Sequence, residues 1–479
     1  MAKSIRTNII SGLKWNAIGQ FSRQIINFIL MVILTRLLLP SEFGQIGILL
    51  VFIGIADVFI NSGLNTALIQ KNSTSNADYS TVFFFNLSVS LVFYLILFFS
   101  APLIADFFEE PELSSLLRIL ALVFVINALG TIQATILTIN LNFRKQNLIS
   151  IIGVIISATI SLYMAFNDYG VYSLIGQSLS FSITTNLILW LTSSWKPSLI
   201  FSKDSFRTLF NFGSKILASS ILDRIFTTID SLVVGKVFNT TQLGFYSRAK
   251  STHNLPIMNT TGIISPVFFP VFSKIEDDDE LRRYHLKFLS LIGYVIIPLM
   301  AGLIVVAKPL TLVLFTDKWL PSVPMLQIFA FYGALYPLSV ILVQSLLVKG
   351  KAGAFLKLDV YKKIILLTSM LIGAYFGIFP FLFAICIANY LGFFLNLYVL
   401  SKTMQIKMIE YIKCFFPVVS ISLIMAVFVA LSGMINFPTV PIQLLVQITV
   451  GIFVYIALSK VFKLKDFYFL KELIFKRNK

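Results

Sequence analysis

Cysteine and histidine are almost absent from this sequence of 479 residues, which has two of each. Both cysteines, Cys386 and Cys414, lie in apolar segments, so we interpret them as free packing residues rather than a disulfide or a metal pair. No group of histidines and cysteines has the spacing of a metal site. The phosphate-binding loop G-x-x-x-x-G-K-[ST] is also missing, so nothing indicates a P-loop nucleotide hydrolase.

Charged residues are scarce as well, at 12% of the chain, whereas 57% of the residues are hydrophobic and the mean hydropathy is +0.89. This composition indicates an all-α membrane protein with many spans. Apolar runs of about 17 to 25 residues between polar breaks predict fourteen helices. These helices are predicted at 9–38, 43–70, 79–105, 115–141, 147–166, 171–194, 209–237, 242–272, 286–309, 323–348, 357–378, 380–401, 412–434 and 438–461.

Acidic residues are fewer than basic ones, 21 against 38, which gives a net charge of +17. A nucleic-acid partner would explain this charge, but its distribution argues against one. An even number of helices puts both termini on one side, and the loops on that side contain most of the basic residues. By the positive-inside rule we expect the termini to be cytoplasmic. We expect no cleavable signal peptide, because the first apolar run is too long for one.

The first predicted helix is related to the seventh by an internal repeat. With an offset of 201, Arg23 aligns with Arg224, and with an offset of 200, Gly44 aligns with Gly244. Six helices separate the two copies, so the halves should run parallel. Paired repeats are a common plan of secondary transporters, with the substrate site between the halves.

The repeat predicts a chain in five parts. These are an N-terminal six-helix lobe at 1–195, a cytoplasmic linker at 196–208, a C-terminal six-helix lobe at 209–401, two additional transmembrane helices at 402–461 and a basic cytoplasmic tail at 462–479. Basic and aromatic residues alternate in the tail at helix-like spacing. This pattern fits a short helix on the anionic inner leaflet, or an ordinary basic cytoplasmic end.

Arg23 lies in the middle of the first predicted helix, between Lys14 and Arg36. At 1.5 Å per residue these two basic residues are roughly 33 Å apart, close to the ~30 Å hydrocarbon core of a bilayer. A charge at that depth costs from about 2.5 to more than 10 kcal/mol. Arg23 therefore needs an acidic partner, a water-filled cavity or a ligand.

Polar residues share a face with each of the two repeated arginines. On the first helix they are Asn16, Gln20 and Asn27, on the seventh Ser220, Thr227 and Ser231, and a further polar line on the second helix contains Asp57, Asn61 and Asn65. We interpret these faces as the lining of a hydrated, electropositive cavity. The alternative is interhelical ion pairing, of Arg23 with Asp57 and of Arg224 with Asp223 or Asp230.

The eighth predicted helix adds two candidates, Arg248 and His253. Arg248 lies near the outer edge, so its side chain either faces the cavity or extends outward to water. His253 at membrane depth has the chemistry of a proton carrier. A hydrogen-bonded packing histidine is the favoured interpretation.

Three stretches resemble bacterial polysaccharide flippases of the kind that export colanic-acid or teichuronic-acid repeat units. They are LTRLLLPSEFGQIGILLVFIGIADVFINSGLNTALIQK at 34–71, LGFYSRAKSTHNLPI at 243–257 and SPVFFPVFSKIEDDDELRRYHLKFLSLIG at 265–293. The resemblance extends over essentially the whole chain and places it in the multidrug/oligosaccharidyl-lipid/polysaccharide exporter superfamily. It implies two six-helix lobes in a V around a central cavity.

The resemblance also implies a function, which is transport and not enzymatic catalysis. The expected substrate is an undecaprenyl-diphosphate-linked oligosaccharide, moved to the outer leaflet by alternating access and driven by a sodium or proton gradient. Expected partners are membrane lipids, a polysaccharide polymerase and export machinery. Related lipid-precursor flippases have cavity arginines on the first and eighth helices, which match Arg23 and Arg248, and one on the second, where this chain has Asp57.

The expected site therefore combines an anion-binding group with candidate ion-coupling groups. The anion site is predicted at Arg23, Arg224 and Arg248, and ion coupling at Asp57, Asp223, Asp230 and His253. The acidic residues leave a multidrug extruder of the same superfamily as an alternative. A membrane glycan polymerase or ligase is the alternative of another class, but it needs a large outer loop with catalytic bases, and no such loop is visible.

Overall fold

The computed structural model describes residues 2–61, 63–71 and 73–475, and within these ranges the ordered elements are helices. The α-helices are α1 Ala2–Leu37, α2 Pro40–Asn61, α3 Leu64–Gln70, α4 Asn76–Phe108, α5 Glu112–Leu120, α6 Leu122–Ile139, α7 Phe143–Phe166, α8 Tyr172–Thr192, α9 Lys203–Val237, α10 Thr240–Phe272, α11 Asp278–Phe315, α12 Ser322–Gly333, α13 Leu335–Val348, α14 Ala352–Phe376, α15 Ile378–Met404, α16 Met408–Ser432, α17 Val440–Val461 and α18 Lys465–Phe475. A 3₁₀ turn at Asp317–Trp319 follows α11. The prediction of an all-α membrane protein is confirmed.

Every predicted span contains a helix, and within the described ranges 11 segments are long and apolar enough to cross a membrane. The helices α9, α10 and α14 are not among the 11. In α9 the reason is charge, since charged residues recur from its first turn to its last. Because a charge in the bilayer core is costly, a long helix with charged residues along its length is expected to keep its polar face away from lipid.

Some predicted spans are each divided into two helices, which corrects the prediction of single helices at 43–70, 115–141 and 323–348. In the first, α2 ends at Asn61 and α3 begins at Leu64; the second break is at Ala121 and the third at Ala334. At the first break Gly63 lies against the backbone of Gly213, so close that a side chain on either residue would meet main-chain atoms. Hydropathy does not reveal the second and third breaks, because their flanking residues are mainly apolar on both sides.

The helices pack into two compact units, Met1–Gly244 and Phe245–Lys479. The first unit contains α1 to α9 and the start of α10. One of its buried clusters joins α3, α4, α6 and α9, through Leu68, Phe83, Ile132 and Leu209. These units are defined by packing, whereas the predicted lobes were defined by the internal repeat. The lobe boundaries therefore stay a prediction.

The segment between α8 and α9 is attached to the first turns of α4. The backbone N–H of Ser198 donates to Ser80 Oγ at 3.1 Å, and that of Ser202 donates to Thr81 Oγ1 at 3.0 Å. Ser202 also caps α9, because its side chain accepts a hydrogen bond from the N–H of Ser205. The helix consequently begins at Lys203, six residues before the predicted span.

In the second unit, α16 and α17 pack on α11. Tyr294 Oη donates to Ser459 Oγ at 2.9 Å, and Tyr455 Oη donates to the carbonyl of Tyr294 at 2.7 Å. Val418 and Met425 of α16 join Tyr294 and Tyr455 in one buried cluster. The two additional transmembrane helices are thus an integral part of this unit.

The tail forms a short helix, α18, which contacts the N-terminal half of α11. Ser290 Oγ donates to Asp466 Oδ2 at 2.6 Å, and Lys287 Nζ lies 3.8 Å from the centroid of the Phe469 ring. Burial raises the pKa of the Asp466 carboxyl. The tail thus contains a short helix, one of the two possibilities that the sequence left open, and its contact with lipid stays a prediction.

Candidate substrate site

Arg23 is held by an amide on α7. Its Nη1 donates to Asn147 Oδ1 at 2.6 Å, and Asn147 Nδ2 donates in turn to the carbonyl of Phe143 at 2.8 Å. The Arg23 side chain is half-buried, whereas Asn147 is 4% exposed. No carboxylate of the described residues lies within ion-pair distance of Arg23, so the alternative pairing with Asp57 does not occur in this conformation.

Arg224 is placed differently, in a gap that a glycine leaves on α2. Its Nη2 donates to the carbonyl of Leu50 at 3.5 Å, a long hydrogen bond. A side-chain carbon at Gly54 would overlap the guanidinium, so only glycine leaves room for it. In the part of the chain that the structure describes, Arg224 Nε is buried without a hydrogen-bond acceptor. No described carboxylate, Asp223 and Asp230 included, lies within ion-pair distance of Arg224.

The predicted polar lining divides into exposed and half-buried residues. Gln20, Asn27 and Thr227 are exposed, and Ser231 is half-buried. Thr227 Oγ1 donates to the carbonyls of its own helix at Asp223 and Arg224. The side chains of Asn16 and Asn61 lie outside those that the structure describes.

The candidate ion-coupling residues have unlike environments. Asp57 is half-buried on α2, three residues after Gly54, and Asp223 is exposed. Asp230 is 7% exposed and accepts a hydrogen bond at 2.8 Å from the backbone N–H of Ser231. These positions do not test an ion-coupling role, which stays a prediction.

In the second unit, Arg248 and His253 are both buried, at 6% and 5% exposure. The Arg248 guanidinium lies 5.4 Å from the centroids of both the Phe315 and the Trp319 ring, within range of cation–π attraction. Its side chain therefore does not extend outward to water. His253 stacks on Phe329, and its Nδ1 lies 3.0 Å from the carbonyl of Lys250.

Sequence reasoning missed a polar cluster where the ends of several helices of the first unit meet. Lys236 Nζ lies 2.9 Å from Glu109 Oε1, and Thr240 Oγ1 donates to Glu110 Oε1 at 2.7 Å. The hydrogen bond and the charge of Lys236 hold the pKa of Glu109 below its usual value. Lys236 lies 200 positions after Arg36, the same offset that aligns Gly44 with Gly244, but that alignment alone does not predict its acidic partner.

Beside this cluster, the first turns of α2 and α10 contact each other through glycines. A side-chain carbon at Gly44 would overlap the carbonyl oxygen of Thr240, and one at Gly244 would overlap the carbonyl oxygen of Pro40. Thr240 lies 200 positions after Pro40, and Gly244 lies 200 after Gly44. The contact is therefore reciprocal in the repeat, with each copy contributing one glycine and one carbonyl. Small residues at such positions let membrane helices approach to backbone distance.

Comparison with known proteins decides the family. A family model described as "Polysaccharide biosynthesis protein" matches residues 33–324. The chain belongs to this family. The match covers α2 to α11 and the first residues of α12, and so includes Arg224, Gly54 and both glycines of the reciprocal contact.

Two similar proteins come from different bacteria. The lipopolysaccharide biosynthesis protein WzxC of Escherichia coli is 28% identical over 373 residues, which cover 77% of this chain and 76% of that protein. The teichuronic acid biosynthesis protein TuaB of Bacillus subtilis is 26% identical over 352 residues, 73% of this chain and 73% of that protein.

Solved structures show the same fold at lower sequence identity. The lipid II flippase MurJ in an inward closed conformation has a TM-score of 0.75 at 20% identity, covering 93% of this chain and 98% of that one. An inward-facing multidrug resistance transporter of the MATE family and MOP superfamily has a TM-score of 0.59 at 13% identity, covering 80% and 96%. These similarities place the chain in the fold of that superfamily, as the sequence predicts.

Two features of this family member bear on its chemistry. Arg23 and Arg224 are cations that no described carboxylate neutralises, and each uses few of the five N–H donors of its guanidinium. Such groups bind phosphate well, because the planar guanidinium donates two parallel hydrogen bonds to one anion.

Proposed function

We propose that this protein is a flippase that moves undecaprenyl-diphosphate-linked oligosaccharide repeat units across the bacterial cytoplasmic membrane. One observation carries the proposal: Arg23 and Arg224 both lie on long helices of a membrane protein without a carboxylate partner in the described structure. A permanent charge inside the hydrocarbon core of a bilayer is costly. A ligand that brings negative charge with it would offset that cost during each transport cycle.

The chemistry of the substrate matches these groups. A diphosphate has several acceptor oxygens, and it needs cationic donors wherever the bilayer excludes water. The attached sugars need hydroxyl and amide neighbours, which the exposed Gln20, Asn27 and Thr227 supply. Relatives named for lipopolysaccharide and teichuronic acid biosynthesis, and a similar fold in a lipid II flippase, support a glycan linked to a lipid.

Further parts of the proposal concern orientation and energy. The termini are cytoplasmic, the two six-helix lobes alternate in access to each side, and transport is driven by sodium or protons through Asp57, Asp223, Asp230 or His253. The polymerase and export machinery receive the translocated unit at the outer face. Arg248 joins the anion site in another stage of the cycle, since aromatic rings enclose it in this conformation.

Export in cells tests this function. In a strain that lacks the chromosomal gene, Arg23→Gln and Arg224→Gln variants should each abolish surface polysaccharide while the protein stays folded in the membrane. The corresponding lysine variants should retain part of the export, because they keep the charge but lose the bidentate geometry.

The controls are the membrane level of each variant and the resistance of the cells to cationic drugs. Full polysaccharide export by both glutamine variants would contradict the proposal. Loss of drug resistance on removal of Asp57 or Asp223, with polysaccharide unchanged, would support a multidrug extruder instead.

A further inference from the structure

We propose that Asn147 is a positioning residue that holds the Arg23 guanidinium without neutralising it. The inference rests on the proposed function, because it concerns the same anion site. It assigns to α7 a part in substrate binding.

The orientation of the Asn147 amide follows from its neighbours. Arginine has only donors, so the atom that faces Arg23 Nη1 at 2.6 Å must be the oxygen. The carbonyl of Phe143 has only acceptor sites, so the atom that faces it at 2.8 Å must be the amide nitrogen. Because both ends of the amide have a partner, its oxygen points at Arg23 in one defined direction.

Around this hydrogen bond, α1 and α7 approach each other closely. Trp15, Gly19 and Arg23 follow one another at intervals of four residues on α1, so they share a face. All of them contact α7: the Arg144 guanidinium lies 5.0 Å from the Trp15 ring, and a side-chain carbon at Gly19 would overlap the Asn147 side chain. The glycine therefore brings the amide within reach of Arg23.

A neutral partner has a different effect from an acidic one. Elsewhere in the first unit Lys71 is neutralised by Asp78, whose Oδ2 lies 2.7 Å from its Nζ. Asn147 instead orients Arg23 through a dipole and leaves its net charge intact. The described contacts of Arg23 use one N–H, so the other donors remain for an anion. A carboxylate at position 147 would compete with the substrate for the same guanidinium.

The first unit provides a matched control. Asn186 on α8 is also buried, at 8% exposure, donates from Nδ2 to the carbonyl four residues earlier at 2.7 Å, and lies against a glycine of a neighbouring helix, Gly130. Its oxygen has no hydrogen-bond partner among the described residues. Asn186 therefore shares the packing of Asn147 but not its arginine.

The experiment is equilibrium binding of undecaprenyl diphosphate to purified full-length protein in detergent. Asn147→Asp should bind roughly ten- to hundredfold more weakly, the size of effect expected when an anion loses one charge-assisted hydrogen bond. Asn147→Ala should lose less, because Arg23 keeps its charge and loses only its orientation. Asn186→Asp should bind as the wild type does.

A double variant separates positioning from packing. If Asn147 acts through Arg23, Asn147→Ala combined with Arg23→Gln should bind no more weakly than Arg23→Gln alone. Additive losses, or wild-type binding by Asn147→Asp while Arg23→Gln is impaired, would overturn the role of Asn147 and leave the proposed function standing. Wild-type binding by Arg23→Gln itself would count against the proposed anion site, and with it against this inference.

Discussion

The two copies of the repeat are alike at the start of their second helices and unlike in the middle of their first helices. At the start of the second helix, Gly44 lies on the carbonyl of Thr240, and Gly244 lies on the carbonyl of Pro40. In the middle, Arg23 is held by the side chain of Asn147, whereas Arg224 lies over Gly54 and reaches a main-chain carbonyl.

The difference shows which contacts depend on backbone and which on side chains. Where one backbone contacts another, only glycine fits, so both copies have a glycine at the same position. The surroundings of an arginine have several solutions, and each copy has a different one. We expect the reciprocal glycine contact to be present in both halves of the transport cycle, and the arginines to have separate parts in binding.

The largest effect is expected at the reciprocal glycines. In Gly44→Ala and Gly244→Ala, the new methyl group overlaps a carbonyl that moves only with its helix. Overpacking of this kind costs about 1–3 kcal/mol. Both variants should unfold at lower temperature than the wild type, and by similar amounts, as measured by thermal unfolding of purified protein in detergent.

A glycine on α10 provides the control for these variants. A side-chain carbon at Gly262 would meet no atom within 4 Å, so Gly262→Ala should be neutral or slightly stabilising. A loss of stability in only one of the reciprocal variants would show that the two copies do not share the contact.

An intermediate effect is expected where the copies differ. In Gly54→Ala the methyl group displaces the Arg224 guanidinium, the free end of a flexible side chain, so the protein should stay folded. Substrate binding should weaken by roughly tenfold, because Arg224 is no longer placed for the anion. Polysaccharide export and membrane protein level would be measured together, and unchanged export would contradict this placement of Arg224.

The smallest effect is expected at the exposed pair of Lys236 and Glu109. Because the pKa of Glu109 in the folded protein lies below its usual value of 4.5, its contribution is complete above that value and is lost as the pH falls through the lowered pKa. Glu109→Gln should slightly lower the unfolding temperature near neutral pH, and less so in acid or high salt. A difference that persists unchanged in acid would show that the charge of Glu109 does not stabilise the contact.

Much of the architecture could be predicted from the sequence, because apolar runs and charged breaks report directly on membrane helices. The junction between α14 and α15 has no charged break, and it still lies close to the predicted gap at 379. It is at Gly377, with a φ of +118°, a conformation that glycine adopts without strain. The start of α9 at Lys203 was missed because its signal is a capping serine and not a change in hydropathy.

The surroundings of the arginines were harder to predict. Spacing along one helix predicts Arg23 on a polar face, but its partner Asn147 lies 124 residues away in the sequence. In the sequence, Asn147 stands out only as an amide within an apolar helix. The sequence has no such mark for the partner of Arg224, because the position of Arg224 depends on Gly54, a residue without a side chain.

Flipping by the purified protein tests the central claim most directly. In proteoliposomes that contain only this protein, a fluorescent undecaprenyl-diphosphate-linked glycan would be followed from one leaflet to the other. The account predicts rapid movement with the wild type, and movement no faster than in protein-free vesicles with the double variant Arg23→Gln/Arg224→Gln. Flipping by that double variant at the wild-type rate would contradict it.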